Sequence, residues 1–342
     1  MNLHIKPIDN NVVNCNYNAG GGKIQWIDTA KALGLILVFW GHLLYYGTLE
    51  GVNQAIYSFH MPMYFILSGI VMRGNKLSFI ENLRKRFNRL LKPSMAFIIL
   101  SLPVYFLFQL KSDDPISIKH IISVTFYIHG MVAYNDPIWF FICMFQVLVI
   151  ADALNLYDVQ RKYKMYLLIG SFFAGYLLYK VHFVYFGLDK AIVGLGFFLT
   201  GQCLKDAAEK IITSRRVVII CLLLWYLAAM FLNTKVSMYV SNYGSYWCFV
   251  LSGISGSIAF CSFAKYLSKM QFINQYSGWT VFIVMSHYFL VTFFIVIERK
   301  IIGFDGTWIF DITSFAFVLL SLYLYRPICK FVDRRFPILN GK

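Results

Sequence analysis

The chain has 342 residues, 59% of them hydrophobic and 14% charged, with 31 Lys and Arg against 16 Asp and Glu for a formal net charge of +15. Apolar runs of about twenty residues, the length a bilayer crossing requires, recur from Ile27 to Tyr325; this excludes a soluble enzyme and predicts an all-α polytopic membrane bundle. The runs are continuously apolar rather than alternating, which excludes a membrane barrel, and the basic residues of such a chain mark cytoplasmic loops rather than a nucleic-acid interface.

Residues 1–25 are polar and Asn-rich and lack the basic start, short apolar core and small-residue cleavage site of a removable signal. They are read as a disordered polar tail, with the first span acting as its own insertion signal. Gly20-Gly21-Gly22 has no preceding strand and no following Lys-Ser/Thr, so it is not read as a phosphate loop. A membrane domain over 26–335 follows, then a short tail over 336–342.

Hydropathy places about ten spans, near 27–46, 54–74, 93–110, 137–155, 165–182, 188–204, 216–233, 243–263, 276–297 and 307–325. The segment from Ile116 to Tyr134 mixes Lys119, His120 and His129 with apolar residues and is expected to lie along the surface or re-enter. With a cytoplasmic N-terminus, ten spans put 24 of the 31 basic residues inside. That is the asymmetry of the positive-inside rule, and it places both termini in the cytoplasm.

The first span carries Asp28, Lys31 and His42. Lys31 and His42 are eleven residues apart, so on a helix they share a face with about 16 Å between them. Ionisable residues within a span are a functional-site signal. Asp28 can hold the Lys31 ammonium, and Lys31 can equally serve as a boundary anchor that snorkels to the headgroups. His42 suits a general base, because imidazole takes a proton near neutral pH; a histidine hydrogen-bonded inside the bundle is the structural alternative.

The second span opens Phe59-His60-Met61-Pro62 and reaches Ser68-Gly69, a small pair that allows close approach of a helix or a ligand. The next loop, Arg84 to Pro93, sets Arg86 and Arg89 one turn apart, where two guanidinium forks can grip phosphate or simply serve as topogenic charge. Asn135-Asp136-Pro137-Ile138-Trp139-Phe140 opens the fourth span from outside, with Trp139 at the interface, and Ser286-His287 places a second imidazole deep in the ninth. His42, His60 and His287 come from separate spans with no His-x-x-x-His spacing, so no metal site is expected. Seven scattered cysteines suggest neither a disulfide framework nor a metal cluster. No repeat relates the two halves, which lowers a transporter reading without removing it.

In order, these motifs are a Lys/Arg and a His eleven apart in the first span, an aromatic stretch ending Ser-Gly, an Arg-x-x-Arg, a Pro-Ile/Leu-Trp-Phe and a late histidine. They resemble the acyltransferase-3 family of integral membrane acyltransferases, and the Phe-His-Met-Pro stretch is most similar to its fucose 4-O-acetylase-like branch. The resemblance runs from about Gln25 to Arg334, and its specific motifs lie in the first 93 residues. It implies a ten-helix acyltransferase domain in a bacterial cytoplasmic (inner) membrane, transferring an acyl group, commonly acetyl from acetyl-CoA, to a hydroxyl of a cell-surface glycan or lipid-linked sugar, with no permanently bound cofactor.

By the same resemblance, Lys31 and His42 are the essential first-span pair; the three-residue spacing lets Asp28 orient Lys31. Ser68 and Gly69 match the second-span motif, Arg86 and Arg89 the donor arginines, and His60, Trp139 and His287 are further candidates. Lys in place of the commoner Arg at position 31 gives up bidentate geometry. His42 is expected to deprotonate the acceptor hydroxyl as it attacks the thioester, or to carry the acetyl group briefly itself. Two other classes stay open: a non-enzymatic transporter or flippase, and a non-catalytic sensor or partner of glycan assembly. The expected partners are acetyl-CoA, the sugar acceptor and the lipid bilayer, with no nucleic acid; a homo-oligomer is left open.

Overall fold

The computed structural model describes residues 24–74, 77–109, 117–132, 135–181, 184–303 and 306–342; the tail over 1–23 lies outside the described residues. Their regular structure is helical: α1 (Gln25–Leu44), α2 (Glu50–Tyr57), α3 (His60–Val71), α4 (Phe79–Arg86), α5 (Lys92–Gln109), α6 (Ile118–Thr125), α7 (Ile138–Ala153), α8 (Arg161–Val181), α9 (Leu188–Leu204), α10 (Ala208–Thr213), α11 (Arg215–Tyr226), α12 (Tyr246–Leu267), α13 (Gln271–Asn274), α14 (Thr280–Ile297) and α15 (Trp308–Arg335). In place of a strand, the described residues hold an isolated bridge between Ser237 and Asn242.

Five helical stretches among the described residues are long and apolar enough to cross a membrane: Gln25–Leu44, Phe79–Leu107, Tyr246–Leu267, Phe272–Ile297 and Trp308–Arg335; Ile138–Ala153 is apolar but shorter. The outward faces of these and neighbouring helices are apolar too, as at Ile99 and Leu100 of α5, Phe173 of α8, Leu223 of α11 and Leu320 of α15. Such a belt is stable only against lipid. The protein is a multi-pass helical membrane bundle.

Two segments differ from the hydropathy reading. The expected second span is split, because the backbone leaves the helical region at Phe59 between α2 and α3. Pro62 follows in the first turn of α3, where its missing N–H costs nothing. The expected basic loop from Arg84 to Pro93 is instead helix, running from α4 through a π turn at Phe87–Leu91 into α5. Pro93 has no N–H to give the Arg89 carbonyl four residues back, which accounts for the widened turn before it. The segment from Ile116 to Tyr134 contains the eight residues of α6, about 12 Å of helix at 1.5 Å per residue, too short to span.

The buried helix α1 packs against α3, α12, α14 and α15. Small residues make the close approaches that membrane helices depend on. On α12, Gly253 meets Phe197 and Pro62, and Gly256 meets Phe59 and Trp225. Between α3 and α9 the contact is reciprocal: a Cβ at Gly69 would strike the Phe198 carbonyl oxygen, and one at Gly201 would strike the Ile66 carbonyl oxygen. Backbone oxygens cannot move aside without parting the helices. Gly69→Ala is therefore expected to destabilise the fold by about 1–3 kcal/mol, read as a lowered thermal midpoint in detergent, and Gly201→Ala to do the same.

One end of the bundle gathers the start of α1 and the end of α15. The Thr29 hydroxyl donates to the Asn274 side chain at 2.6 Å, the Trp279 indole donates to Asp333 at 2.9 Å, and the Asn340 amide donates to the Gly278 carbonyl at 3.0 Å. The arginine helix lies at that end as well, since Gly341 sits on the Arg89 carbonyl.

Candidate functional site

At the opposite end, where α1 finishes, lies a cavity of about 1040 Å³, at the upper end of the range that holds small-molecule ligands. His42 reaches it from the last turn of α1. The chain beyond is fixed because Asp311 accepts the Thr48 backbone N–H at 3.1 Å and also the Thr48 hydroxyl. Asn53 on α2 donates to the Gly41 carbonyl at 2.9 Å, which holds α2 beside His42. The break before α3 turns His60 into the same cavity.

Three imidazoles meet here. The His42 ring lies 5.3 Å from that of His287 between centroids, 6.0 Å from Tyr288 and 6.5 Å from Tyr57; Tyr57 is also 5.0 Å from His60. Nδ1 of His60 pairs with the Ile56 carbonyl at 2.9 Å and Nδ1 of His287 with the Val284 carbonyl at 2.8 Å. A carbonyl can only accept, so both rings carry their proton on Nδ1. His287 Nε2 is buried and makes no hydrogen bond among the described residues. His42 is half-buried and forms no hydrogen bond among them, so both its ring nitrogens remain available to a ligand.

The cavity wall is aromatic and its rim is charged. Trp139, Phe140, Tyr64 and Tyr288 line it, together with residues 235–240 and Asn242 of the loop before α12. That loop is tied down by Ser241 donating to Asp189. Lys190, which donates to the Gly130 carbonyl at 2.8 Å, lies 5.9 Å from the Tyr239 ring. Asp136 faces the cavity just before α7. Burial holds its carboxyl above the ordinary range, while hydrogen bonds from the Tyr239 and Tyr288 hydroxyls pull the other way.

Of the residues singled out in the sequence, the structure brings His42, His60 and Trp139 into the cavity, with His287 directly behind His42. Lys31, Asp28, Ser68, Gly69, Arg86 and Arg89 do not line it. Lys31 is linked to it through Tyr64, a lining residue whose hydroxyl donates to the Lys31 carbonyl at 2.9 Å. The phenol fits because Gly34 has no side chain: a Cβ there would come within 2.7 Å of the Tyr64 oxygen. The face shared by Lys31 and His42 is thus interrupted by a tyrosine.

Two donor-side candidates also make structural contacts. Gly69 is buried against α9 and its carbonyl accepts from Gln202, so its smallness serves helix packing. Arg86 forms a two-pronged bridge to Asp152 at 3.2 and 3.4 Å, with side chains 5% and 4% exposed. Its guanidinium is held by a carboxylate, and Arg89 is half-buried on the next turn.

Sequence reasoning missed Asn53, Tyr57, Tyr64, Tyr239, Tyr288, Lys235 and Arg299 as cavity residues. Asn53 and Tyr57 had one available signal, a short amphipathic stretch ahead of Pro62 that hydropathy merged into a span. The others come from loops and helix ends with no local pattern. A family model described as an acyltransferase domain matches residues 24–326. No curated protein and no solved structure matches the chain.

Proposed function

Because the chain belongs to the acyltransferase-3 family, whose model spans residues 24–326, and is a membrane acyltransferase, we propose that it O-acetylates a sugar, taking acetyl from acetyl-CoA. The acceptor is a cell-surface glycan or a lipid-linked saccharide, and the chain falls in the fucose 4-O-acetylase-like branch. The observation that carries this reading is His42, an imidazole with both nitrogens unbonded among the described residues, facing a large aromatic cavity.

The reaction follows from that placement. The acceptor hydroxyl gives its proton to His42 as its oxygen attacks the thioester carbonyl. The tetrahedral intermediate then expels the CoA sulfur, which recovers the proton from the imidazolium. The free carbonyls at the C-terminal end of α1 favour the positive charge that develops on His42. Tyr57, whose ring adjoins both His42 and His60, supplies a hydroxyl donor for the oxyanion.

Ten spans with both termini in the cytoplasm of a bacterial inner membrane put the cavity mouth outside and Lys31, Asp28 and Arg89 on the cytosolic side. Arg89 and Lys31 then hold the donor phosphates, Asp28 orients Lys31, and Arg86 positions the arginine helix through Asp152. The acyl arm reaches His42 only when the Tyr64 side chain swings off the Lys31 carbonyl. Mass spectrometry of surface and lipid-linked glycans from cells with and without the gene tests the reaction. The expected result is a glycan that loses the mass of one acetyl group when the gene is removed, and unchanged glycans would sink the proposal.

A further inference from the structure

The rim of the cavity carries two cations held on tyrosine faces. The Lys235 ammonium lies 4.4 Å from the Tyr45 ring centroid and the Arg299 guanidinium 5.4 Å from that of Tyr46. All four residues line the cavity, and Tyr45 and Tyr46 follow His42 by three and four positions. Lys235 is exposed and makes no ion pair among the described residues. Asp136 is the acidic member of the lining, and its carboxyl already accepts from Tyr239 and Tyr288.

Basic residues on the cytoplasmic side orient the chain, whereas those outside run against the positive-inside bias. Two cations at one cavity mouth, beside further lining aromatics such as Tyr239 and Tyr288 suited to the apolar side of a sugar ring, give the cavity a surface complementary to an anionic ligand.

Building on the acyl-transfer reading above, we propose that the acceptor is an anionic saccharide. Its carboxylate or phosphate sits between Lys235 and Arg299, its ring lies against the tyrosines at the mouth, and one hydroxyl descends to His42. Charge-assisted hydrogen bonds from an ammonium and a guanidinium to such a group are among the stronger polar contacts available. The anion fixes the sugar's register, and so selects which hydroxyl reaches the imidazole. A neutral glycan binds the same aromatic wall with neither anchor.

The test uses membranes from producing cells, carrying wild-type protein or the Lys235→Gln/Arg299→Gln variant, supplied with radiolabelled acetyl-CoA. The labelled glycan is run on anion exchange directly, after mild acid that cleaves a sugar–phosphate link, and after carboxyl reduction. We expect the label on an anion. Loss of retention after mild acid identifies a phosphate as the anchor, and loss after carboxyl reduction identifies a carboxylate.

The double variant should raise the apparent KM for acceptor by about tenfold or more, as loss of one or two charge-assisted contacts implies, with the KM for acetyl-CoA unchanged. The charge-keeping Lys235→Arg/Arg299→Lys exchange should restore labelling. A neutral labelled product overturns the proposal whether or not the variant folds, and so does wild-type labelling by the Gln variant. If wild-type membranes label no glycan at all, the acyl-transfer reading fails with it, and that outcome is distinct from both.

Discussion

Replacing His42 with alanine is expected to lower acyl transfer by about 10²- to 10⁴-fold, the span of a general base, while thermal stabilisation of the purified protein by CoA stays as in the wild type. The size of the effect follows from the arrangement of the three imidazoles. His60 and His287 each spend Nδ1 on a carbonyl of their own helix. His287 is 1% exposed and does not line the cavity. His60 does line it, so it is the competing base, and His60→Ala is expected to cost less than His42→Ala because its ring is oriented by Ile56 and reaches the cavity from the wall. Proteoliposomes with labelled acetyl-CoA and extracted glycan give the rates directly. Transfer undiminished in His42→Ala, or a greater loss in His60→Ala, would move the base to His60. A hydroxylamine-labile acetyl present on isolated wild-type protein and absent from His42→Ala would instead show that His42 carries the group in a two-step transfer.

Hydropathy located the helical stretches because each span is a continuous apolar run whose only requirement is length. It could not see the break between α2 and α3, since Ser58 and Phe59 are no more polar than their neighbours, and the break is held by distant partners: Trp225 donates to the Ser58 hydroxyl at 2.9 Å and Gln54 to the Ala229 carbonyl at 2.7 Å. The first-span pair was legible as polarity out of place, and His42 does face the cavity. Its link to Lys31 was not legible, because Tyr64 enters from another helix through the gap left by Gly34. Likewise nothing near Lys235 or Arg299 in the chain announces a rim. Each is one cation on one loop or helix end, and only the fold sets Tyr45 and Tyr46 beneath them.

The second large effect is expected at Arg86. Its guanidinium and the Asp152 carboxylate are both nearly sealed from solvent, at 5% and 4% exposure. Removing one partner leaves a buried charge uncompensated, at about 3–5 kcal/mol, so Arg86→Ala should lower the thermal midpoint of the detergent-solubilised protein sharply, and Asp152→Ala should match it. The paired change Arg86→Met/Asp152→Leu removes both charges at similar bulk, and buried ion pairs replaced in this way are often neutral or stabilising, so stability should return toward wild type. Donor binding separates the two roles an arginine can have here. If Arg86 acts by joining α4 to α7, the double variant recovers CoA affinity along with stability, which is the outcome the two-pronged bridge favours. If stability returns and CoA affinity does not, the guanidinium contacts phosphate as well, and the assignment of the donor to Arg89 and Lys31 must be widened to include it.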